Sequence, residues 1–283
     1  MQHITRGGIC LLAAAAAAAW ADSSAAGPPA APEGVNLWTT ESGQVVFNLF
    51  PIPADFFAPG SDPFGSVVPL VGAPLNPATL SSADTIIRRG DVIFPGAGFP
   101  RPSDPIPIEI IELSLTSIAP ITVTFNGGQN PEQWLLDVDL SAFPVPNGNL
   151  DAILQKPNGG TYSANLFVQP RFIFTKVGEP AQIREFDTGN EGVPEFNLTS
   201  ADLFSLVQPV ETPLDIPADL LFPGSPATSN FWFGVDHAIG TLDLFQFESP
   251  ELTLSLRTTP IPTPGALALL GLAGLMGGRR RRR

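Results

Sequence analysis

A strict alternation of apolar and polar residues runs through Glu251-Leu-Thr-Leu-Ser-Leu-Arg257 near the end of the chain. Because successive side chains of a strand point to opposite faces of a sheet, Leu252, Leu254 and Leu256 would share one face. Residues 136–140 (Leu-Asp-Val-Asp-Leu) alternate in the same way. This period is typical of strands with one buried face, and it predicts a β protein.

Short apolar or alternating runs, separated by turn residues, fill the chain outward from these two segments. We predict further strands at residues 44–50, 107–118, 121–125, 161–168, 172–177, 182–186, 231–235 and 242–247. The alternation within 107–118 changes phase at Ile110 and Ile111, which predicts a β-bulge. Many short strands with frequent turns predict a mainly β body of the β-sandwich or jelly-roll type. Residues 200–207 are predicted as a helix, because Thr199 and Asp202 have the spacing of a helix cap.

The composition supports this fold class and excludes several functions. The 283 residues include 32 Pro and 27 Gly, a density that argues against a helical bundle or a doubly wound α/β enzyme. Six of the 14 basic residues are Arg6 and the five arginines at the end of the chain, which leaves 8 against 27 acidic residues, a net charge of −19 for the remainder. A body with this charge is a poor partner for nucleic acid.

The first residues have the three parts of a secretory signal. Arg6 precedes an apolar run at residues 9–19, and Ala19 and Ala21 form an A-x-A cleavage site. This pattern predicts export by the Sec machinery. Cys10 is the only cysteine of the chain and lies inside this segment, so the mature protein would contain no disulfide and no thiolate nucleophile.

The last residues form a second targeting segment. Residues 258–264 are rich in proline, residues 265–278 are apolar, and Arg279, Arg280, Arg281, Arg282 and Arg283 end the chain. As a helix the 14 apolar residues would span about 21 Å, short of the roughly 30 Å hydrocarbon core, a gap that local thinning and snorkelling arginines can cover. Because positive charge resists translocation, the arginines would stay cytoplasmic while the body lies outside.

This tripartite tail resembles the PEP-CTERM sorting signal, with Pro262, Thr263, Pro264 and Gly265 at the position of the sorting motif. Thr263 stands where the family motif has Glu. The resemblance implies processing by an exosortase, a membrane transpeptidase-like enzyme, and sorting to the cell envelope or the extracellular matrix. The body is also similar to secreted planctomycete-type proteins of unknown function, through residues 53–55, 82–89 and 121–134.

One segment recurs within the chain. Ile52-Pro-Ala-Asp-Phe-Phe-Ala-Pro-Gly-Ser61 and Ile216-Pro-Ala-Asp-Leu-Leu-Phe-Pro-Gly-Ser225 are identical at seven of ten positions. Either a β-unit is duplicated, with the second unit starting at about residue 190, or a loop-plus-strand module recurs. Asp55 and Asp219 are interpreted as turn residues that accept local backbone N–H groups; the alternative is a calcium or ligand carboxylate in each copy.

These patterns divide the chain into five parts. They are a signal peptide (1–21), a linker (22–35), the β body (36–257), a Pro-rich linker (258–264), and a sorting helix with its arginine cluster (265–283).

Candidate catalytic groups are few. His237, next to Asp236, is the only histidine of the predicted mature chain, so a Ser-His-Asp triad would have to use it. Asp137 and Asp139 share one strand face, either as a carboxylate pair for glycoside hydrolysis or as part of a solvated face. Residues 187–191 have the composition of a calcium loop without the EF-hand spacing. We expect no cofactor and no metal site.

Aromatic side chains offer a binding surface for sugars. Trp232 lies between Phe231 and Phe233, on the opposite strand face from both, so that side of the strand is either exposed or packed. Trp232 and Trp134 are therefore the candidate ligand-binding residues, with core packing as the alternative.

Three functions follow from these observations. The favoured one is a non-enzymatic surface or matrix protein that is exported and sorted to the envelope. The others are a surface module that binds extracellular polysaccharide and a secreted hydrolase with paired carboxylates.

Overall fold

The computed structural model describes residues 30–75, 82–206, 231–234 and 244–258. Their regular elements are all strands, and the strands pair antiparallel, so the prediction of a mainly β body is confirmed. The segments predicted as a signal helix and a C-terminal apolar helix lie outside the described residues. The strands are β1 (Ala30–Ala31), β2 (Gly34–Val46), β3 (Val67–Gly72), β4 (Thr85–Arg89), β5 (Val92–Ile93), β6 (Arg101–Pro102), β7 (Ile106–Leu113), β8 (Leu115–Ser117), β9 (Ile121–Phe125), β10 (Gln129–Leu140), β11 (Gly148–Lys156), β12 (Gly159–Val168), β13 (Pro170–Lys176), β14 (Ile183–Asp187), β15 (Phe196–Ser205), β16 (Trp232–Phe233), β17 (Phe245–Glu248) and β18 (Leu252–Thr258).

Eight strands form a closed antiparallel barrel in the order β2-β18-β17-β15-β12-β11-β7-β4, and β4 pairs with β2 to complete the ring. Closure leaves these strands without the free edges that promote aggregation. The strands come from both sides of residue 190, since β15, β17 and β18 stand between β12 and β2. The sandwich or jelly-roll topology predicted from the sequence is not confirmed.

The same sheet continues beyond the barrel at β2 into a part that we call the wing, and β1 and β5 form a separate two-stranded sheet. The first part of β2 pairs with β4 in the barrel, and residues from Gly43 to Val46 pair with β3. From β3 the wing continues in the order β8-β10-β13-β14, and β9 also pairs with β10. The chain also passes between barrel and wing from β7 to β8 and from β12 to β13, so several stretches of backbone connect them.

The predicted bulge lies at this passage. Ile86 pairs with Glu112 and Ile87 pairs with Ile110, so Ile111 is the extra residue. Before the bulge the buried residues are Ile106, Ile108 and Ile110, and after it they are Leu113, Leu115 and Ser117. The phase change at residues 110 and 111 therefore reports a real bulge, and the prediction is confirmed.

Aromatic rings fill the interior of barrel and wing. In the barrel, the Trp38 ring lies edge-on to Phe245 and Phe233, with centroid distances of 4.6 and 5.5 Å. In the wing, Phe57 packs against Trp134 and Phe174 at 5.1 Å each. These contacts belong to one continuous core that runs through barrel and wing.

The helix predicted at residues 200–207 is wrong. Residues 200–205 belong to β15, which pairs with β12 from Phe196 to Ser205 without a register shift, and residue 207 lies outside the described residues. The residues that resemble a helix cap form a local signal of about 1 kcal/mol, which a ladder of ten paired positions outweighs. Another predicted strand, 44–50, has different bounds: β2 begins at Gly34 and ends at Val46, where the N–H of Leu49 donates to the Val46 carbonyl in a turn.

The first copy of the internal repeat forms a closed loop. Asp55 has a φ of 64°, and its Oδ1 accepts a hydrogen bond from the Gly60 N–H at 2.6 Å. The Asp55 N–H donates to the Ser61 carbonyl at 2.9 Å. Asp55 therefore accepts a local backbone N–H as predicted for a turn residue, whereas the second copy, with Asp219, lies outside the described residues.

Candidate functional site

A cleft of about 760 Å³ lies on the outer wall of the barrel. It runs across β11, β12, β15 and β17. Within the described residues β15 and β17 pair at a single position, Thr199 opposite Glu248, so the wall opens beside Ser200, Ala201 and Asp202. We call this cleft the wall groove.

Polar side chains dominate the wall groove, because they occupy the outward positions of strands whose alternate residues face the core. Asn149 Nδ2 donates to Asp151 Oδ2 at 3.0 Å, and Gln246 Nε2 donates to Ser255 Oγ at 3.2 Å. The polar side chains that line the groove are Asn149, Asp151, Ser163, Asn165, Thr199, Ser200, Asp202, Gln246, Glu248 and Ser255.

Beneath the groove, the barrel interior begins with a buried hydroxyl pair. The Tyr162 hydroxyl lies 3.2 Å from Ser200 Oγ, and both residues are buried. Burial raises the pKa of Tyr162, so its phenol stays neutral at physiological pH. The groove thus offers amide, hydroxyl and carboxylate groups above a neutral floor, which suits a ligand rich in hydroxyl groups.

The most deeply buried carboxylate, Asp84, lies where barrel and wing diverge. It is fully buried and immediately precedes β4 in the chain, at the end of the β2–β4 ladder where Trp38 pairs with Thr85. Its Oδ2 accepts from the Thr40 N–H at 2.7 Å, and its Oδ1 accepts from the hydroxyls of Thr40 and Thr85 at 2.6 and 2.7 Å. The carboxylate thereby accepts the N–H of Thr40, a residue of β2 that pairs neither with β4 nor with β3.

The main chain of Asp84 joins barrel and wing as well. Its N–H donates to the Trp38 carbonyl, and its carbonyl accepts from Ser114, the residue between β7 and β8. A Cβ on Gly72, at the end of β3, would lie 1.8 Å from Asp84 Oδ2, so only glycine leaves room for the carboxylate. Burial raises the pKa of Asp84, while the bonds from Thr40 and Thr85 act in the opposite direction.

A guanidinium group lies inside the barrel near the end of β4. Arg89 is fully buried; its Nη1 donates to the Gly90 carbonyl at 2.7 Å and its Nη2 to the Pro32 carbonyl at 3.0 Å. The group also lies 5.4 Å from the ring centroid of Phe231. Burial lowers the pKa of Arg89 to about 10, so it remains charged at neutral pH. Arg89 holds the chain that closes this end of the barrel.

A second cleft, of about 600 Å³, separates residues 62–69 from residues 118–124 in the wing. At one end of it Asp62 accepts bonds from the N–H groups of Gly127 and Gly128 and from the Thr124 hydroxyl, all within 2.9 Å. These bonds lower the pKa of Asp62, because they stabilise the carboxylate. Asp62 thus fastens a loop to the β9–β10 turn.

The two candidate tryptophans are buried. Trp134 is completely enclosed and packs on Phe57, and Trp232 is 8% exposed in the two-residue strand β16. Phe231 and Phe233 are buried too, so the strand is packed on both faces. Binding of sugars through an exposed Trp232 or Trp134 would need a ring at the surface, and neither ring is there.

Asp137 and Asp139 lie on the outward face of β10. Their neighbours Leu136 and Val138 are fully buried, and Asp139 pairs with Arg171 at 3.0 Å, where both side chains are more than one-third exposed. Neither acid lines the clefts described above. The arrangement matches the solvated-face interpretation of this pair.

The calcium-like segment, residues 187–191, forms a turn. Asp187 Oδ1 accepts from the Gly189 N–H at 3.0 Å, and the Asp187 carbonyl accepts from Asn190 and Glu191. Its acidic side chain is therefore engaged in the turn itself. In the described parts of the chain, no group of three His, Cys, Asp or Glu side chains has a geometry that could hold a metal ion.

Several predicted residues lie outside the described residues. They are the cleavage site (Ala19 and Ala21), the pair Asp236 and His237, the sorting motif (Pro262, Thr263, Pro264 and Gly265) and the arginine cluster (Arg279, Arg280, Arg281, Arg282 and Arg283). In the residues that the structure does describe, no helix has the length and apolar character needed to cross a membrane.

Sequence reasoning missed the roles of Asp84 and Arg89 and the position of the wall groove. The signal in the sequence is that Asp84 and Arg89 lie at the two ends of the short segment Asp84-Thr-Ile-Ile-Arg-Arg89. Nothing local shows that both charges turn inward. Comparison with protein-family models, with curated proteins and with solved structures finds no match for this chain.

Proposed function

We propose that this chain is an exported, non-enzymatic protein of the cell envelope or extracellular matrix. The Sec machinery would export it, its apolar tail would hold it at the membrane as a short helix, and an exosortase-like enzyme would process the tail. The folded body would then be surface or matrix material.

The observation that carries the proposal is the place in the chain where the barrel wall ends. β18, the last described strand, is part of the barrel wall and pairs with β2 up to Thr258 opposite Trp38. Pro262 follows four residues later and the apolar segment starts at Gly265. The six intervening residues reach at most about 20 Å when extended, so a tail in the membrane would keep the body at its surface.

The character of the body also supports this function. The barrel is closed and its core is filled with aromatic side chains, which suits a protein that must persist outside the cell without disulfides. Without Arg6 and the five arginines that end the chain, the net charge is −19, and this charge favours solubility in the hydrated space between cells.

Mass spectrometry of the terminal peptides, on envelope and medium fractions separately, tests the proposal. We expect a mature chain that starts at Asp22 and, in the medium, ends before Gly265. Retention of Arg279–Arg283 in every fraction would overturn processing, and retention of residues 1–21 would overturn export.

A pair of variants sharpens this test. Thr263→Glu restores the Glu of the family motif, and we expect it to raise the processed fraction in the presence of an exosortase. Pro260→Ala, just outside the motif, is the matched control and should leave processing unchanged. If Thr263→Glu and Pro260→Ala behave alike, the motif is not what the processing enzyme reads.

The wall groove supports a second candidate function, binding of polysaccharide. Its amide and hydroxyl groups suit a neutral glycan, and Asp151, Asp202 and Glu248 would repel an acidic one. In affinity electrophoresis with dextran, we expect Asn149→Ala with Asp151→Ala to weaken retention about tenfold, as expected when a few hydrogen bonds are lost. Gln133→Ala, on the outer face of the wing, is the control; equal retention of all proteins would remove this function.

No described cleft includes Asp137 or Asp139, so we propose no hydrolase.

A further inference from the structure

One loop combines an exposed aromatic ring with a basic residue at the barrel end toward which β18 runs. It connects β5 to β6 and contains residues 94–100, of which Pro95 to Pro100 are all exposed. Phe99 is 44% exposed, although large aromatic side chains of this protein are otherwise mostly buried. We give the name Phe99 loop to residues 94–104, which also include β6 and the two residues after it.

The position of the Phe99 loop follows from strand register. β6 pairs with β11 at Ile153 and Leu154, near the β11–β12 turn. That turn, the end of β4 at Arg89 and the start of β2 at Gly34 all lie at one end of the barrel. Because β18 runs antiparallel to β2, its last residues head for this same end, and the predicted membrane segment begins seven residues after β18.

The structure holds the Phe99 loop in place. The Asp104 N–H donates to the Ile93 carbonyl at 3.2 Å, which closes the loop at its base. Ser103 exchanges hydrogen bonds with Ala152 of β11, through its N–H at 2.7 Å and its Oγ at 3.0 Å. Arg101 Nε donates to the Gly98 carbonyl, and its guanidinium lies 4.9 Å from the Phe99 ring centroid. The ring is therefore presented outward on a supported loop.

The charge of this loop differs from that of the body. The Phe99 loop contains one arginine, Arg101, and one acidic residue, Asp104, so it has no net charge in a chain whose net charge is −13. Exposed apolar side chains flank the loop, namely Ile93 of β5 and Ile153 of β11. An aromatic ring with a neighbouring arginine, surrounded by aliphatic groups, suits the interface between lipid headgroups and acyl chains.

We propose that the Phe99 loop docks the body onto the lipid bilayer, with Phe99 inserted at the headgroup level and Arg101 at the phosphates. The occupant of this surface is a phospholipid membrane. The inference rests on the proposed function, because the tail brings this end of the barrel to the membrane. Docking would orient the barrel upright, with the wall groove facing sideways and the sorting motif beside the bilayer.

The absence of cysteine from the mature chain allows a direct test. The starting protein is the full chain with Cys10→Ser. The test variant adds Ala97→Cys in the Phe99 loop. The control variant adds Leu49→Cys instead, at a residue that is 56% exposed in the turn beyond the other end of β2. Each protein is labelled with an environment-sensitive fluorophore and mixed with phosphatidylcholine vesicles, and its flotation with the vesicles is measured as well.

We expect the label at position 97 to shift its emission to the blue and to be quenched by lipid-attached quenchers, whereas the label at 49 does neither. Phe99→Ser in the Ala97→Cys protein should abolish most of that shift, and Phe99→Trp should preserve it. If the protein floats but the label at 97 does not respond, or both labels respond alike, docking is overturned while the tail anchor stands. If the protein does not float, the proposed anchor itself fails, and this inference fails with it.

Discussion

The barrel and the wing share one core but differ in how their edges end. Every barrel strand has neighbours on both sides, whereas the wing finishes at β14, which pairs with β13 alone among the described strands. Strand β2 belongs to both parts, because one half pairs with β4 and the other with β3. One sheet therefore both closes into the barrel and continues into the wing. It divides at β2 between Trp38 and Gly43, a place that we call the fork, and the backbone groups there need hydrogen-bond partners.

Asp84 supplies those partners. At the fork β2 leaves one ladder before it joins the next, and the Thr40 N–H donates to a side chain rather than to a strand. A buried backbone donor without an acceptor is costly, so a carboxylate at this place stabilises barrel and wing together.

The largest effects are expected from the two enclosed tryptophans. Trp38→Ala in the barrel and Trp134→Ala in the wing should each lower the free energy of unfolding by about 4 kcal/mol, through lost burial and the cavity that remains. Denaturant unfolding measures the loss. Hydrogen exchange then locates it: Trp134→Ala should loosen β10 and β13 first, and Trp38→Ala should loosen β2 and β18. Identical exchange patterns for both variants would mean that barrel and wing unfold as one unit.

Removal of the fork carboxylate should come next. Asp84→Ala leaves the Thr40 N–H and two hydroxyls without their acceptor, and we expect a loss of about 3 kcal/mol in denaturant unfolding. Gly72→Ala should be destabilising as well, because its methyl group would overlap the carboxylate.

The double variant separates the two causes. In the Asp84→Ala background there is no carboxylate to overlap, so Gly72→Ala should cost much less than it does alone. Additive losses would show that the glycine is needed for some other reason.

A smaller effect, on the pH dependence of stability, distinguishes Asp84 at the fork from Asp62 in the wing. Asp84 has its pKa raised in the folded state, so the native protein binds the proton more tightly than the unfolded chain does. Its contribution is therefore most favourable below the ordinary value of 3.8 and declines as pH rises through the folded pKa. Asp62 has its pKa lowered, so its contribution is present above 3.8 and is lost as pH falls through the folded pKa.

The corresponding variants are Asp84→Asn and Asp62→Asn, each compared with the parent chain by urea unfolding across the acidic range. We expect the stability differences to change with pH in opposite directions. Parallel pH profiles for the two variants would contradict the assignment.

The smallest effect is expected on the outer face of the wing. Arg171→Ala removes an exposed ion pair with Asp139 and should change stability by less than about 1 kcal/mol. Thermal unfolding at low and high salt measures it, and the effect should diminish at high salt. A loss comparable with that of Asp84→Ala would mean that Arg171 supports the wing in another way.

Strand-level features were accessible from the sequence because they depend on neighbouring residues. Alternation in residues 251–257 and 136–140 predicted β18 and part of β10, the phase change at Ile110 and Ile111 predicted the bulge, and Pro-Ala-Asp55 predicted a local turn. In each case the signal is the side-chain period or a hydrogen bond spanning a few residues, so a short window contains all of it.

Tertiary structure alone decided the rest. Closure of the barrel depends on β2 pairing with both β4 and β18, and β18 is more than 200 residues away in the chain. The same kind of distant pairing makes β15 a strand despite its helix-like cap, and it places Trp232 opposite Ser205 of β15, where the tryptophan is buried. Asp84 and Arg89 read as ordinary charges until the fold turns them inward. Local sequence sets which side of a strand is apolar, whereas the identity of its partner depends on the free energy of the whole packed sheet.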